Sequence, residues 1–239
     1  MLVMMGGEIV KKQKIHKKTS GRHYSAVVLL VAFCVLSALV FVGAWQARLE
    51  LPPYVGKKLT RSETDEVIAR NSPLASYVHL SPNADFPRKS EIKKITIHNM
   101  GANLTLERLG ESFAKKDRKA SSNYGIDING KVAIYVEDEN RSWASSNAEN
   151  DDMAVTIEVA NETIGGDWRV SDEAYETLIE LCTDICWRNG IEELVYTGDT
   201  NGNLTIHNMF REDTECPGYY LESRMADIAE KVNKNLNSS

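Results

Sequence analysis

Apolar positions along this chain fall into three regimes. The first is a charge-free run from Ala26 to Trp45, AVVLLVAFCVLSALVFVGAW. At 1.5 Å per residue it reaches roughly 30 Å, enough to cross the hydrocarbon core of a bilayer. It has no polar face, as a helix surrounded by lipid requires. The second regime, Gln46 to Asn71, is polar, carries Pro52 and Pro53, and reads as a stalk with a short helix near Glu63 to Arg70. The third begins near Ser72 or Pro73 and alternates short apolar runs with helical periodicity. Ile95 to Met100 (ITIHNM), Tyr124 to Ile128, Val132 to Glu137 and Leu194 to Thr197 read as strands. Asn129-Gly130 between the second and third of these signals a type I′ hairpin. Ala154 to Ala160 (AVTIEVA) is almost continuously apolar, which places it at the centre of its sheet.

Three helices carry one-sided apolar stripes. Thr105 caps one that holds Leu106, Leu109 and Phe113. Ser171, with Asp172 and Glu173 in the first turn, opens another that buries Tyr175, Leu178, Ile179, Cys182, Ile185 and Cys186 and stops at Gly190. The last places Leu221, Met225, Ile228 and Val232 on one face. The pattern predicts an α/β domain with a central mixed β-sheet flanked by helices, preceded by one transmembrane helix. The expected organisation is a basic cytoplasmic tail over 1–23, an anchor over 24–45, a stalk over 46–72 and a folded domain over 73–239.

Charge sharpens this picture. The chain of 239 residues carries a formal charge of -6, from 28 Lys and Arg against 34 Asp and Glu. Before Tyr24 stand six basic residues (Lys11, Lys12, Lys14, Lys17, Lys18, Arg22) and one acidic residue, Glu8, a net +5; the remainder therefore carries -11. Basic residues ahead of the apolar run keep the N-terminus in the cytoplasm and put the domain outside the cell. The alternative is a signal peptide cut after Ala44, which leaves a secreted domain. An acidic domain without a basic stripe excludes nucleic acid as the partner. Of the 4 cysteines, Cys34 lies in the apolar run, and Cys182 and Cys186 share a helix face and read as small buried residues. Cys216 is left over.

The domain has three histidines: His79, His98 and His207. His98 ends the strand ITIH, His207 lies in LTIHNMF, and Cys216 follows in ECPGYY. Two imidazoles and a thiolate suit zinc and leave a fourth tetrahedral position for water, the arrangement of a catalytic site. The same residues also admit two satisfied core histidines with a buried cysteine, or a Cys216 nucleophile with His207 as its base. Against the nucleophile, Pro217 removes a backbone N–H that an oxyanion hole could use.

These pieces, together with HLSPN, SSNYGIDING, NRSWASSN, AVTIEVAN and GGDWRVSD, resemble the zinc N-acetylmuramoyl-L-alanine amidases of the type-2 family. That family is shared with amidase-type phage lysozymes and animal peptidoglycan recognition proteins, and the likeness is to its Firmicute and phage branch in particular. The resemblance implies zinc held by His98, His207 and Cys216, an active-site tyrosine at Tyr124 and a catalytic glutamate at Glu158. It implies hydrolysis of the amide between N-acetylmuramic acid and L-alanine in peptidoglycan. The rival within the same family is a non-catalytic peptidoglycan-binding module, which typically lacks the cysteine. Two departures stand out. Asn99 follows His98 where relatives often have a second His, and Thr214 stands where some carry a Lys. The expected roles are proton transfer for Glu158, an oxyanion hydrogen bond for Tyr124 or Thr214, and substrate contact for Trp143 and Asn147. Asp199 is either an outer partner of a ligand or plain turn chemistry.

Overall fold

The computed structural model describes residues 28–37 and 52–238. Residues 28–37 are helical with their large apolar side chains exposed, and among the described residues no helix is long and apolar enough to cross a membrane. The expected basic tail, and the rest of the expected anchor on either side of this helical piece, lie outside the described residues.

The domain's first helix, α1 (Arg61–Arg70), corrects the expected stalk. Thr60 and Glu63 form a reciprocal capping box, with Thr60 N donating to Glu63 Oε2 at 2.7 Å and Glu63 N to Thr60 Oγ1 at 3.3 Å. Val67 and Val55 are buried in the main core, and Arg70 reaches Glu137 at 2.9 Å. One buried valine per helix face leaves too faint an apolar stripe to reveal this packing, so residues 52–72 read as linker although they belong to the folded unit.

Eight short strands follow: β1 (Ala75–Val78), β2 (Ala84–Asp85), β3 (Lys94–Asn99), β4 (Tyr124–Ile126), β5 (Val132–Ile134), β6 (Arg141–Ser142), β7 (Ala154–Val159) and β8 (Leu204–Ile206). Six form one sheet in the order β1-β5-β4-β7-β3-β8, and β2 pairs with β6. Only β4 and β5 run antiparallel in the large sheet. β7 lies between β4 and β3, as its nearly continuous apolar run requires, with Thr156 and Glu158 as its polar members. The helices are α2 (Leu106–Phe113), α3 (Ala148–Met153), α4 (Asp172–Asn189), α5 (Tyr219–Glu222) and α6 (Met225–Leu236). α4 packs on α6 and on β4 and β7, and its residues join the main core. On the opposite face α2 covers a smaller cluster of Leu106, Leu109, Phe113, Ala133 and Tyr135. Ser171 and Gly190 cap α4 as expected, with Gly190 at φ 66°.

Three local expectations change. Leu194–Thr197 is not a strand: Leu194 is buried, but Val195 O accepts from Asn203 N and Leu204 N while β8 takes the edge of β3. The hairpin between β4 and β5 is not type I′, because Asn129 keeps a negative φ and only Gly130 is left-handed, at 74°. Gly130 N donates to Asp127 O, and Asp127 Oδ1 accepts from Asn129 N and Lys131 N, giving a three-residue loop closed by a carboxylate. The last predicted helix is broken between α5 and α6 at Ser223 and Arg224. Cys182 and Cys186 are buried and unbridged.

Arg88 ties the loops behind the sheet together. Its guanidinium donates to the carbonyls of Asp138 (2.6 Å), Asp152 (2.8 Å), Asn140 (3.0 Å), Ala154 (3.2 Å) and Asp151 (3.3 Å). Burial pushes its pKa down, against the pull of Asp138 and Asp152. Arg88→Met keeps much of the volume but orphans several carbonyls, at about 1–3 kcal/mol for each that water cannot reach. The expected result is a loss of about 3 kcal/mol, a fall of roughly 6–12 °C in the unfolding midpoint for a domain of this size. A fall under 2 °C would show that solvent replaces the arginine.

Candidate metal centre

The centre is built where three parallel strands end. In register, His98 of β3 stands beside Glu158 of β7, which stands beside Gly125 of β4, so all three share one face of the sheet. His207 starts the turn that follows β8, itself paired to β3. The chain then returns to place Cys216 over the end of β3. Four hydrogen bonds hold that return: Cys216 N to Thr214 Oγ1 (3.2 Å), Asn208 N to Cys216 O (3.0 Å), Asn99 N to Cys216 Sγ (3.3 Å) and Asn99 Nδ2 to Pro217 O (2.7 Å).

One ligand atom from each of His98, His207 and Cys216 lies within 4.8 Å of the others. Cys216 Sγ is 3.7 Å from His98 Nδ1, and the two imidazole centroids are 4.7 Å apart at 54°. Bonds of about 2.0 Å to nitrogen and about 2.3 Å to sulfur at a tetrahedral angle put N and S roughly 3.6 Å apart, so this spacing suits zinc. His98 Nε2, His207 Nε2 and Glu158 Oε2 are all buried without a hydrogen-bond partner. Each is costly to leave unpartnered in a site that binds nothing. Burial, and then the neighbouring His207, lower the pKa of His98 well below its usual range. Burial, and then Arg211, lower that of His207. Both rings are therefore neutral, the form that ligates a cation.

The same electrostatics oppose a thiol nucleophile. Burial, and then the Glu158 carboxyl, push the Cys216 thiol far above its usual value. A reactive cysteine needs a lowered pKa, which here only a cation at the site could supply. Glu158 is itself raised to about 8 by burial, with Arg118 partly offsetting the effect. A carboxyl poised near neutrality at the rim of a cation site can accept and return a proton.

A cleft of about 530 Å³ opens over this face, lined among others by Arg118, Lys119, Trp143, Asn147, Glu158 and His207. Trp143 is held by Asp85, which accepts its Nε1 at 3.0 Å and pairs with Arg141 at 2.5 Å. Asn147 lines the cleft but spends its Oδ1 as the N-cap of α3, accepting from Asn150 N at 2.9 Å.

Two expected residues are not where the chemistry is. Tyr124 pairs in register with Ile157, not Glu158, so it points to the opposite face of the sheet. It is fully buried there, and Arg188 of α4 donates to its Oη at 3.3 Å. Thr214 does not line the cleft; its hydroxyl accepts the Cys216 N–H and fixes the ligand loop. Asp199 accepts from Thr197 Oγ1 at 2.5 Å and Asn201 N at 2.9 Å and is turn chemistry. Asn99 was missed: beyond replacing a second histidine, it bonds both the sulfur and the following proline carbonyl. Its position directly after His98 was the available signal.

The family model for N-acetylmuramoyl-L-alanine amidase matches residues 88–219, more than half of the chain. Among solved structures, the chain is similar to a mutant of PlyL, with 16% identity and a TM-score of 0.52 over 65% of this chain and 96% of that one. It is similar to a mutant endolysin from Bacillus subtilis, with 16% identity and a TM-score of 0.50 over 65% and 97%. The catalytic domain of PlyG gives 19% identity and a TM-score of 0.50 over 68% and 95%. At these identities the likeness is one of fold. No curated protein sequence matches the chain.

Proposed function

The chain belongs to the N-acetylmuramoyl-L-alanine amidase family, and on that footing we propose that it is a zinc-dependent hydrolase of the amide joining N-acetylmuramic acid to L-alanine in bacterial peptidoglycan. The observation that carries this reading is the convergence of His98, His207 and Cys216 within 4.8 Å, with the Glu158 carboxyl on the adjoining strand of the same face.

Zinc, when bound, supplies a water acidic enough to ionise near neutral pH and a positive charge for the scissile carbonyl. The protein's own groups do the rest. His98 and His207 would hold the ion as neutral rings, and Cys216 would do so as a thiolate steadied by the Asn99 N–H. Glu158 Oε2, buried and unpartnered, takes the proton of the attacking water and returns it to the departing L-alanine nitrogen. Its raised pKa suits both halves of that exchange. Tyr124 faces away from the oxyanion, whereas Thr214 Oγ1, which accepts the Cys216 N–H, keeps its own proton to donate. Trp143 and Asn147 form part of the wall against which the glycan or the stem peptide lies.

The reading places the domain on the outer side of the membrane, tethered by the apolar run from Ala26 to Trp45, with the basic tail inside. There peptidoglycan is within reach.

The test is to incubate the purified full-length chain with peptidoglycan and follow new L-alanine amino termini, alongside metal analysis. About one zinc per chain, and amine release that a chelator stops and added zinc restores, is the expected outcome. Release that survives chelation would sink the zinc mechanism. Peptidoglycan binding without release would identify a non-catalytic module instead.

A further inference from the structure

The loop between β7 and α4 contains the one aromatic side chain that, like Lys119 and Ser146, is held in a left-handed backbone among the described residues. Trp168 has φ 56°, a conformation rarely adopted by residues of its size. Gly165 and Gly166, at 79° and 63°, fold the loop back, and Trp168 N donates to Gly165 O at 3.2 Å. Asn161, two residues after the end of β7, pins the strained residue by donating from Nδ2 to Trp168 O at 2.8 Å.

The side chain so placed lies against the Cys216 loop. Trp168 Nε1 donates to Glu215 Oε2 at 3.0 Å, on one side of the cysteine. On the other side the backbone of Gly218 runs so close that a Cβ there would sit 2.4 Å from Trp168 Cβ and 2.8 Å from Cγ. Gly218 is itself left-handed, at 83°. Asp167 O accepts from Tyr220 N at 2.8 Å, closing a third attachment. Residues 215, 218 and 220 are thus all fastened to the Trp168 loop, while Asn99 grips Cys216 and Pro217 from the β3 side. Strain of this kind persists where the surroundings over-determine it, and such places tend to be functional.

We propose that Trp168 is a positioning residue for the metal: wedged against Gly218 and bonded to Glu215, it fixes the Cys216 loop so that the sulfur is already aimed at the two imidazoles. The proposal rests on the zinc reading above. Its physical content is preorganisation. A donor held in place before binding loses less freedom when the metal arrives, so the affinity is higher. Residues behind the ligands commonly set metal affinity by 10–100-fold.

Zinc dissociation constants of the full-length chain and its variants, measured by competition with a chromogenic chelator, test this without reference to hydrolysis. Trp168→Gly removes the wedge while suiting the left-handed backbone. It is expected to weaken zinc binding at least about tenfold, while the metal-free protein still unfolds cooperatively. Trp168→Phe keeps a ring against Gly218 and loses only the bond to Glu215, so it should fall between. Ile164→Gly, at the exposed tip of the same loop, controls for general loosening and should match the parent. A Trp168→Gly constant within twofold of the parent, or an equal loss in Ile164→Gly, overturns the proposal and leaves the zinc hydrolase intact. A parent chain that binds no zinc overturns both.

Discussion

Substituting His98 with alanine is expected to abolish zinc binding at micromolar metal and to bring amide release down to the no-enzyme level. Of the three proposed ligands, His98 has the least freedom. It is 1% exposed, at the end of a strand paired on both sides, and its Nδ1 is the atom 3.7 Å from the cysteine sulfur. Asn99, the next residue, is not placed to replace it, because its side chain points to the Pro217 carbonyl. Removing one of three ligands should weaken zinc by about a thousandfold or more, given the roughly 10–16 kcal/mol that closed zinc sites contribute in total. The fold should persist, since the ring fills a site at the sheet's end and is absent from the main hydrophobic cluster. Metal analysis after gel filtration, with circular dichroism as control, checks this. Full zinc occupancy in the variant would remove His98 from the ligand set and the hydrolytic assignment with it.

The second large effect is expected at Glu158. Glu158→Gln preserves shape and removes proton exchange, so kcat should fall by about 10²–10⁴-fold with KM and zinc content little changed. A loss expressed in KM alone would recast the residue as a substrate contact. Stability gives an independent reading. In the metal-free domain the folded carboxyl titrates at about 8 and the unfolded one at its ordinary value near 4.5. Between these values the folded state holds more protons at Glu158, so this group's contribution to stability is fully present below pH 4.5 and is lost as pH rises toward 8. The glutamine variant lacks that part of the decline. An identical pH profile for metal-free parent and variant would mean that Glu158 is not buried as described.

Much of this was legible before any coordinates, and what was not has a common physical cause. α4 and β7 could be read because their burial is either one-sided with caps at both ends or complete on both faces. The three metal-ligand candidates could be read because imidazoles and a spare cysteine are scarce in the chain. Tyr124 was misplaced because side chains alternate along a strand, and only the register with Ile157 decides which face it takes. That register is a relation between strands and is not written in either one. Leu194–Thr197 failed for a related reason: its apolar character reflects burial of Leu194, while the edge of β3 goes to β8. Asn99 and Trp168 act by holding a loop distant in sequence, and Thr214 by holding the N–H two residues along, relations that no single segment's apolar pattern records.

The distance along the chain between His98 and Cys216, 118 residues, sets when hydrolysis can begin. β3 and β7 can pair as soon as residue 159 is made, so a partly synthesised chain can already hold Glu158 beside His98. The proposed metal site is incomplete until β8 docks on the far side of β3 and the returning loop brings up the sulfur. Contacts so remote in sequence form late. On the proposed function, chains cut short before residue 216 lack the third candidate ligand and are expected to be inert, a delay written into the order of the chain.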